Sequence, residues 1–205
     1  MLKNFFILFI GLMVAENNLK AQHINDLWLS IPDSIMPSVS QESRREMLNH
    51  VMLDFDGAVK NKFDEPVRID SMATDFMQVT LSESEQVQLL LMSGSNRDSV
   101  ICLIRTFYGP APESTITIYN NMWGSIGAYQ PSWETFLAHP DTMSDEEYHD
   151  LYGKIPPILY QATWNGTTRT LQLNLSLPFL TKEEREKIHP LILQRNLKWD
   201  GKNFK

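Results

Sequence analysis

Apolar and polar positions alternate with period two through the middle of the chain. Met77, Val79 and Leu81 are separated by polar neighbours, Val87, Leu89 and Leu91 repeat the pattern, and Thr115 to Tyr119 carries it further. Between these segments lies SVICLIRTFYGP, residues 99–110. Read as a strand, it puts Val100, Cys102, Ile104, Thr106 and Tyr108 on one face and Ile101, Leu103, Arg105 and Phe107 on the other. Both faces are largely apolar, as expected of a central strand covered from two sides. The connections SESE, SGSNRD and GPAPES are short and turn-rich, so the four segments predict an antiparallel meander. Later, Leu171, Leu173, Leu175 and Leu177 alternate strictly in ILYQATWNGTTRTLQLNLSL, with Asn165-Gly166 at a hairpin turn, and the same sheet is expected to resume there.

Helical spacing occurs on either side of this block. Met47, Leu48, Val51, Met52 and Phe55 recur at intervals of three and four, which predicts an amphipathic helix over 41–56, with Ser38 and Gln41 as a capping box and Gly57 as its stop. The preceding INDLWLSIPDSIMP has an apolar cluster and two prolines and reads as an extended lead-in. From 120 to 157 glycines and prolines break the pattern, leaving room for short helices near 132–138 and 144–151. A last helix begins after Thr181, with Glu184 three residues on, and Pro190 interrupts it. The ending LKWDGKNFK reads as an edge strand or turn, because Trp199 and Phe204 would be costly to leave in water. The predicted fold is therefore α+β: an antiparallel meander packed against an N-terminal amphipathic helix and short C-terminal helices.

The N-terminus alters the domain count. Lys3 precedes an apolar stretch from Phe5 to Val14, too short for the roughly 20 residues of a bilayer span, and small residues follow at Ala15 and Ala21. Residues 1–21 read as a secretory signal peptide cut between Ala21 and Gln22, with cleavage after Ala15 as the alternative. The remainder, 22–205, is expected to be one domain, exported to the periplasm or secreted and not membrane-spanning. Removing the leader takes two lysines and one glutamate, which moves the net charge from −7 to −8. The acids are scattered and no basic stripe exists, so nucleic acid is not an expected partner. With one cysteine the chain makes no intramolecular disulfide.

Candidate chemistry is sparse. Cys102 sits among aliphatic positions, the setting of a small core residue and not of a thiolate nucleophile. No Gly-x-Ser-x-Gly elbow, His-Glu-x-x-His helix, phosphate loop or dinucleotide fingerprint is present. In SDEEYHDLYG, Glu146, His149 and Asp150 would share a helix face, but acids behind a Ser144 cap are what a helix start favours. DFDG at 54–57 lacks the distal ligands of a calcium loop. No catalytic residue, metal site or cofactor is therefore assigned. The better lead is aromatic: NNMWGSIGAYQPSWETF places Trp123, Tyr129 and Trp133 in a Gly- and Pro-broken segment, where they are candidates for a binding platform. The competing expectation is that these rings plug the open side of the sheet. On this basis the chain is expected to be a non-catalytic interaction module whose partner is a protein or envelope component, or else a glycan. The alternative is a carbohydrate-binding protein or hydrolase acting on extracellular glycans.

Three phrases, IPDSIMPSVSQESRREMLNHV near the front, VICLIRTFYGPAPESTITIYNNMW in the middle, and LYQATW with the terminal LKWDGKNF, carry a resemblance to a family of exported Bacteroidales proteins classified as a domain of unknown function. They are distributed from residue 31 to residue 204, along most of the chain after the leader. The resemblance implies an exported location in an anaerobic gut or oral bacterium and brings no activity and no catalytic residues.

Overall fold

The computed structural model describes residues 23–55, 57–95, 98–155, 159–178, 180–193 and 195–205, except for the side chain of Trp133. The predicted leader and its cleavage point at Ala21 and Gln22 lie outside the described residues.

Seven strands run in strict chain order, each pairing antiparallel with the next: β1 (Val59–Lys60), β2 (Pro66–Met72), β3 (Phe76–Ser82), β4 (Glu85–Ser93), β5 (Ser99–Tyr108), β6 (Pro112–Asn120) and β7 (Ser125–Tyr129). The four predicted strands are β3 to β6, at the centre. Alternation sorts their side chains onto two faces with separate cores. Met77, Val79, Leu89, Ile101 and Leu103 enter the first, and Leu90, Met92, Cys102, Ile104, Ile116 and Ile118 enter the second. Registers Leu90↔Cys102 and Cys102↔Ile118 put the cysteine in the middle of the second face, fully buried.

The first face is covered by α1 (Ile24–Ser30) and α2 (Gln41–Met52), which bury Leu27, Trp28, Met47 and Leu48 on it. The expected extended lead-in is thus a short helix followed by turns. A single guanidinium holds it: Arg44, 1% exposed, donates to the carbonyls of Trp28 (3.3 Å), Ile31 and Ser40 (3.4 Å) and pairs with Asp33 at 3.0 Å, while Trp28 Nε1 donates back to the Arg44 carbonyl at 3.1 Å. Arg105 performs a similar task from the sheet, pairing with Glu85 at 2.6 Å and donating to the Ile35 carbonyl at 2.5 Å.

Two details of α2 differ from expectation. Its cap is Ser40, whose hydroxyl accepts from the Ser43 N–H at 3.1 Å, and not Ser38 with Gln41. It also stops at Met52, because Asp54 turns into the left-handed region at φ 49°, leaving Val51, Met52, Leu53 and Phe55 exposed instead of continuing the buried stripe.

The second face is covered by a separate three-stranded sheet ordered β10 (Arg195–Leu197), β9 (Thr170–Ser176), β8 (Leu159–Asn165), together with α3 (Trp133–Phe136), α4 (Asp145–Tyr152), α5 (Lys182–Ile188) and a 3₁₀ turn at His189–Leu191. The expectation that the late strands rejoin the first sheet is corrected here. They stack on it instead, because Leu171 and Leu173 are needed to seal Cys102, Ile104 and Ile116. The helix after Thr181 has the expected capping box: the Thr181 hydroxyl accepts from the Glu184 N–H, and the Glu184 carboxylate accepts from the Thr181 N–H.

Two side chains of the large sheet stitch the layers together. The N–H of Ala162 donates to Ser114 Oγ at 2.9 Å, and that of Trp164 donates to Gln88 Oε1 at 2.8 Å. Ser114 and Gln88 are buried, so removing either acceptor strands a backbone donor away from water. Ser114→Ala is expected to lower stability by about 1–3 kcal/mol, measured as a shifted urea midpoint with unchanged slope.

Candidate functional site

The aromatic candidates do not share one surface. Trp123 occupies the turn between β6 and β7 at φ 63°, held by Asn120, whose Oδ1 accepts from the N–H groups of Met122 and Gly124, both at 2.9 Å. This turn folds the indole back over the first face, where it is 8% exposed, lies 5.6 Å from Tyr119 and donates Nε1–H to Ser30 Oγ at 3.1 Å. The ring joins the end of α1 to the sheet. Tyr129 ends β7 on the opposite face, half-buried against Phe204 at 5.8 Å. Trp133 opens α3, and its side chain is outside the described residues. A platform combining Trp123 with Tyr129 is therefore excluded by the sheet between them.

Around Tyr129 a different site forms. A cleft of about 490 Å³ opens at the end of the large sheet, floored by Val100, Ile118 and Gly127 and walled by Tyr129, Trp199 and Phe204. Gly127 sits under the opening, and a Cβ placed on it would meet nothing within 4 Å. A second hollow of about 620 Å³, reaching Trp164 and Arg169, lies beyond Trp199.

The far wall is a C-terminal hairpin. Lys198 and Lys205 exchange backbone bonds at 2.6 and 2.9 Å, Trp199 pairs with Phe204, and the Asp200 Oδ1 accepts from the N–H groups of Lys202 and Asn203 at 2.9 and 2.8 Å. The Lys205 ammonium, 2.5 Å from Asp200, together with the Asn203 and Lys202 amides, holds that carboxyl far below the ordinary carboxylate range. Two contacts bind the hairpin to the sheet end. Trp199 Nε1 donates to the Ser93 carbonyl at 2.8 Å, and Gly201, at φ 97°, passes so near the turn after β4 that a Cβ would lie 3.2 Å from the Ser95 nitrogen.

Burial dominates the electrostatics behind the cleft. It pushes the Tyr129 hydroxyl up, with Thr135 and Arg195 pulling the other way, and it pushes Tyr160 up to about 12, with Tyr129 and Glu113 adding to the shift. Both phenols are neutral hydrogen-bonding groups at physiological pH. The Cys102 thiol is raised further still by complete burial, so it stays protonated. Among the described residues no group of three or more His, Cys, Asp and Glu side chains is placed to hold a metal ion. Glu146, His149 and Asp150 are exposed on α4, whose Ser144 cap accepts from the Glu147 N–H at 3.3 Å, and Asp150 pairs with Lys154. Asp98 is the carboxylate among the described residues lining the cleft, so the geometry suits holding a ligand by shape and stacking. Of the residues lining this cleft, Tyr129 is one that the sequence reading names. Trp199 and Phe204 gave their signal as large rings in a polar tail, without indicating where they pack.

Among the described residues no helix is long and apolar enough to cross a membrane. The profile of a family described as "Protein of unknown function (DUF3256)" matches residues 16–204. Among solved structures, a domain of an uncharacterized protein from Porphyromonas gingivalis W83 is similar at 20% identity and a TM-score of 0.70, covering 88% of this chain and 96% of that one. That likeness is one of fold. No curated protein matches the chain.

Proposed function

We propose that this chain, which belongs to the DUF3256 family of proteins of unknown function, is an exported, non-catalytic binding module of the periplasm or cell exterior whose ligand site is the cleft between β7 and the C-terminal hairpin. The observation that carries the reading is the cleft itself. It is concave, of a volume ordinary for a ligand pocket, walled by three aromatic rings and seated on a rigid sheet. Aromatic walls give large contact area at little entropic cost and accept either a polypeptide side chain or a sugar ring. Export is supported by the apolar leader alone.

A glycan is the competing occupant, favoured by Asp98 and Asn203, polar side chains that line the same cleft as Trp199 and suit hydroxyls. The test is binding of a glycan array and of a random linear peptide library to the processed protein and to Tyr129→Ala. Truncating this half-buried ring is expected to cost about 1–2 kcal/mol of stability and to weaken any cleft ligand at least about tenfold. Ligands from both collections that bind Tyr129→Ala undiminished would place the site elsewhere. N-terminal sequencing of protein from the cell envelope should begin at Gln22, and an intact Met1 there would refute export.

A further inference from the structure

The two edges of the large sheet are treated differently. At one, β1 is two residues long and lies beneath α2, with the Ser43 hydroxyl donating to the Lys60 carbonyl and the Lys62 N–H donating to that of Ser38. The part of β2 reaching beyond β1 carries Arg68 and Asp70 and a register shift between Ile69 and Ser71. Short strands, cover, charges and bulges are the usual means of preventing a further strand from pairing. At the other edge, β7 reads Ser-Ile-Gly-Ala-Tyr, with neither charge nor proline, and its first four residues are exposed. Among the described residues no backbone partner pairs with its outer side. That unguarded edge borders the cleft, since Ile126, Gly127, Ala128 and Tyr129 all line it.

We propose that β7 is a docking edge at which an extended segment of a partner protein adds as an eighth antiparallel or parallel strand and lowers a large apolar side chain into the cleft over Gly127. Strand addition satisfies the open N–H and C=O row of β7, and the pocket beneath alternate positions supplies selectivity. A second copy of this chain fits less well. Of the β7 residues facing the cleft, Gly127 has no side chain, and Tyr129 is already packed on Phe204 and bonded to Thr135, so a β7–β7 pair would leave the cleft empty. The edge therefore selects a foreign strand with a bulky residue where this chain has Gly127. The inference rests on the reading of the cleft as the ligand site and adds the chemical class of ligand.

The experiment selects binders from a random linear peptide library on the processed protein, then measures each synthetic peptide against wild type and Gly127→Leu. The peptides are also remade with single backbone N-methyl groups. Because a Cβ at Gly127 meets nothing within 4 Å and glycine is a poor strand residue, thermal stability should not fall, while peptide affinity falls at least about tenfold. N-methylation should abolish binding at alternate positions only, the pattern of a one-sided ladder. Peptides lost with Gly127→Leu yet indifferent to every N-methyl group would overturn strand addition and leave the cleft reading standing, as would a glycan ligand with no peptide binder. Peptides indifferent to both changes would overturn both.

Discussion

Replacing Arg44 with alanine should lower the stability of the folded chain by about 2–6 kcal/mol, since two buried carbonyls each lose a donor at a cost of about 1–3 kcal/mol, seen as a large drop in urea midpoint. The guanidinium is the hub that lets seven residues of α1 and the turns after it behave as ordered structure. A helix that short has no stability of its own, so its position is set by what it packs on and by the carbonyls that Arg44 collects. Deleting the side chain leaves the carbonyls of Trp28 and Ile31 buried without a donor, and that desolvation penalty comes in addition to the lost packing. Arg44→Met separates the two contributions. It restores the aliphatic stem but not the donors, and it should recover the smaller part of the loss. Asp33, exposed at 69%, takes part through a solvated carboxylate, so Asp33→Ala should cost well under 1 kcal/mol. Equal losses for Arg44→Ala and Asp33→Ala would mean that the ion pair, and not the carbonyl clamp, holds this corner.

The second large effect belongs to Trp123. Although sequence reading makes it a candidate for ligand contact, its indole is in the first core and tied to Ser30. Trp123→Ala is expected to cost about 3–5 kcal/mol and to reduce ligand binding only in proportion to the fraction unfolded. Trp123→Phe keeps most of the packing and gives up the hydrogen bond, a loss of about 1 kcal/mol. If Trp123→Ala instead unfolds like wild type and loses its ligand, the ring acts at a surface and the cleft assignment fails.

How far the residues announce this architecture depends on how local each feature is. β3 and β6 are legible because apolar residues alternate along them, β4 and β5 because they are short apolar runs, and all four because the turns between them are short. The Thr181 cap is legible because its geometry lies within four residues. β2 and β7 are not, since Pro66–Met72 buries only Val67 fully and Ser125–Tyr129 is exposed along most of its length, so neither leaves an alternating trace. α1 escapes notice because its seven residues lie just before Pro32 and Pro37, which suggest extended chain. The second sheet is hidden for another reason: the alternation of Leu171 and Leu173 reports a buried face, not which sheet buries it. The cleft combines both difficulties. Tyr129 and the Trp199–Phe204 pair stand about 70 positions apart in the sequence, and only the folding of the hairpin onto the turn after β4 brings them together.

The most direct test of the account is amide hydrogen exchange of the processed protein, free and saturated with a library-selected peptide. Protection gathered in Ser125–Tyr129 and in residues 198–204 is the predicted result. Protection confined to the exposed apolar residues 51–55 at the end of α2, or spread evenly over the sheet, would contradict it.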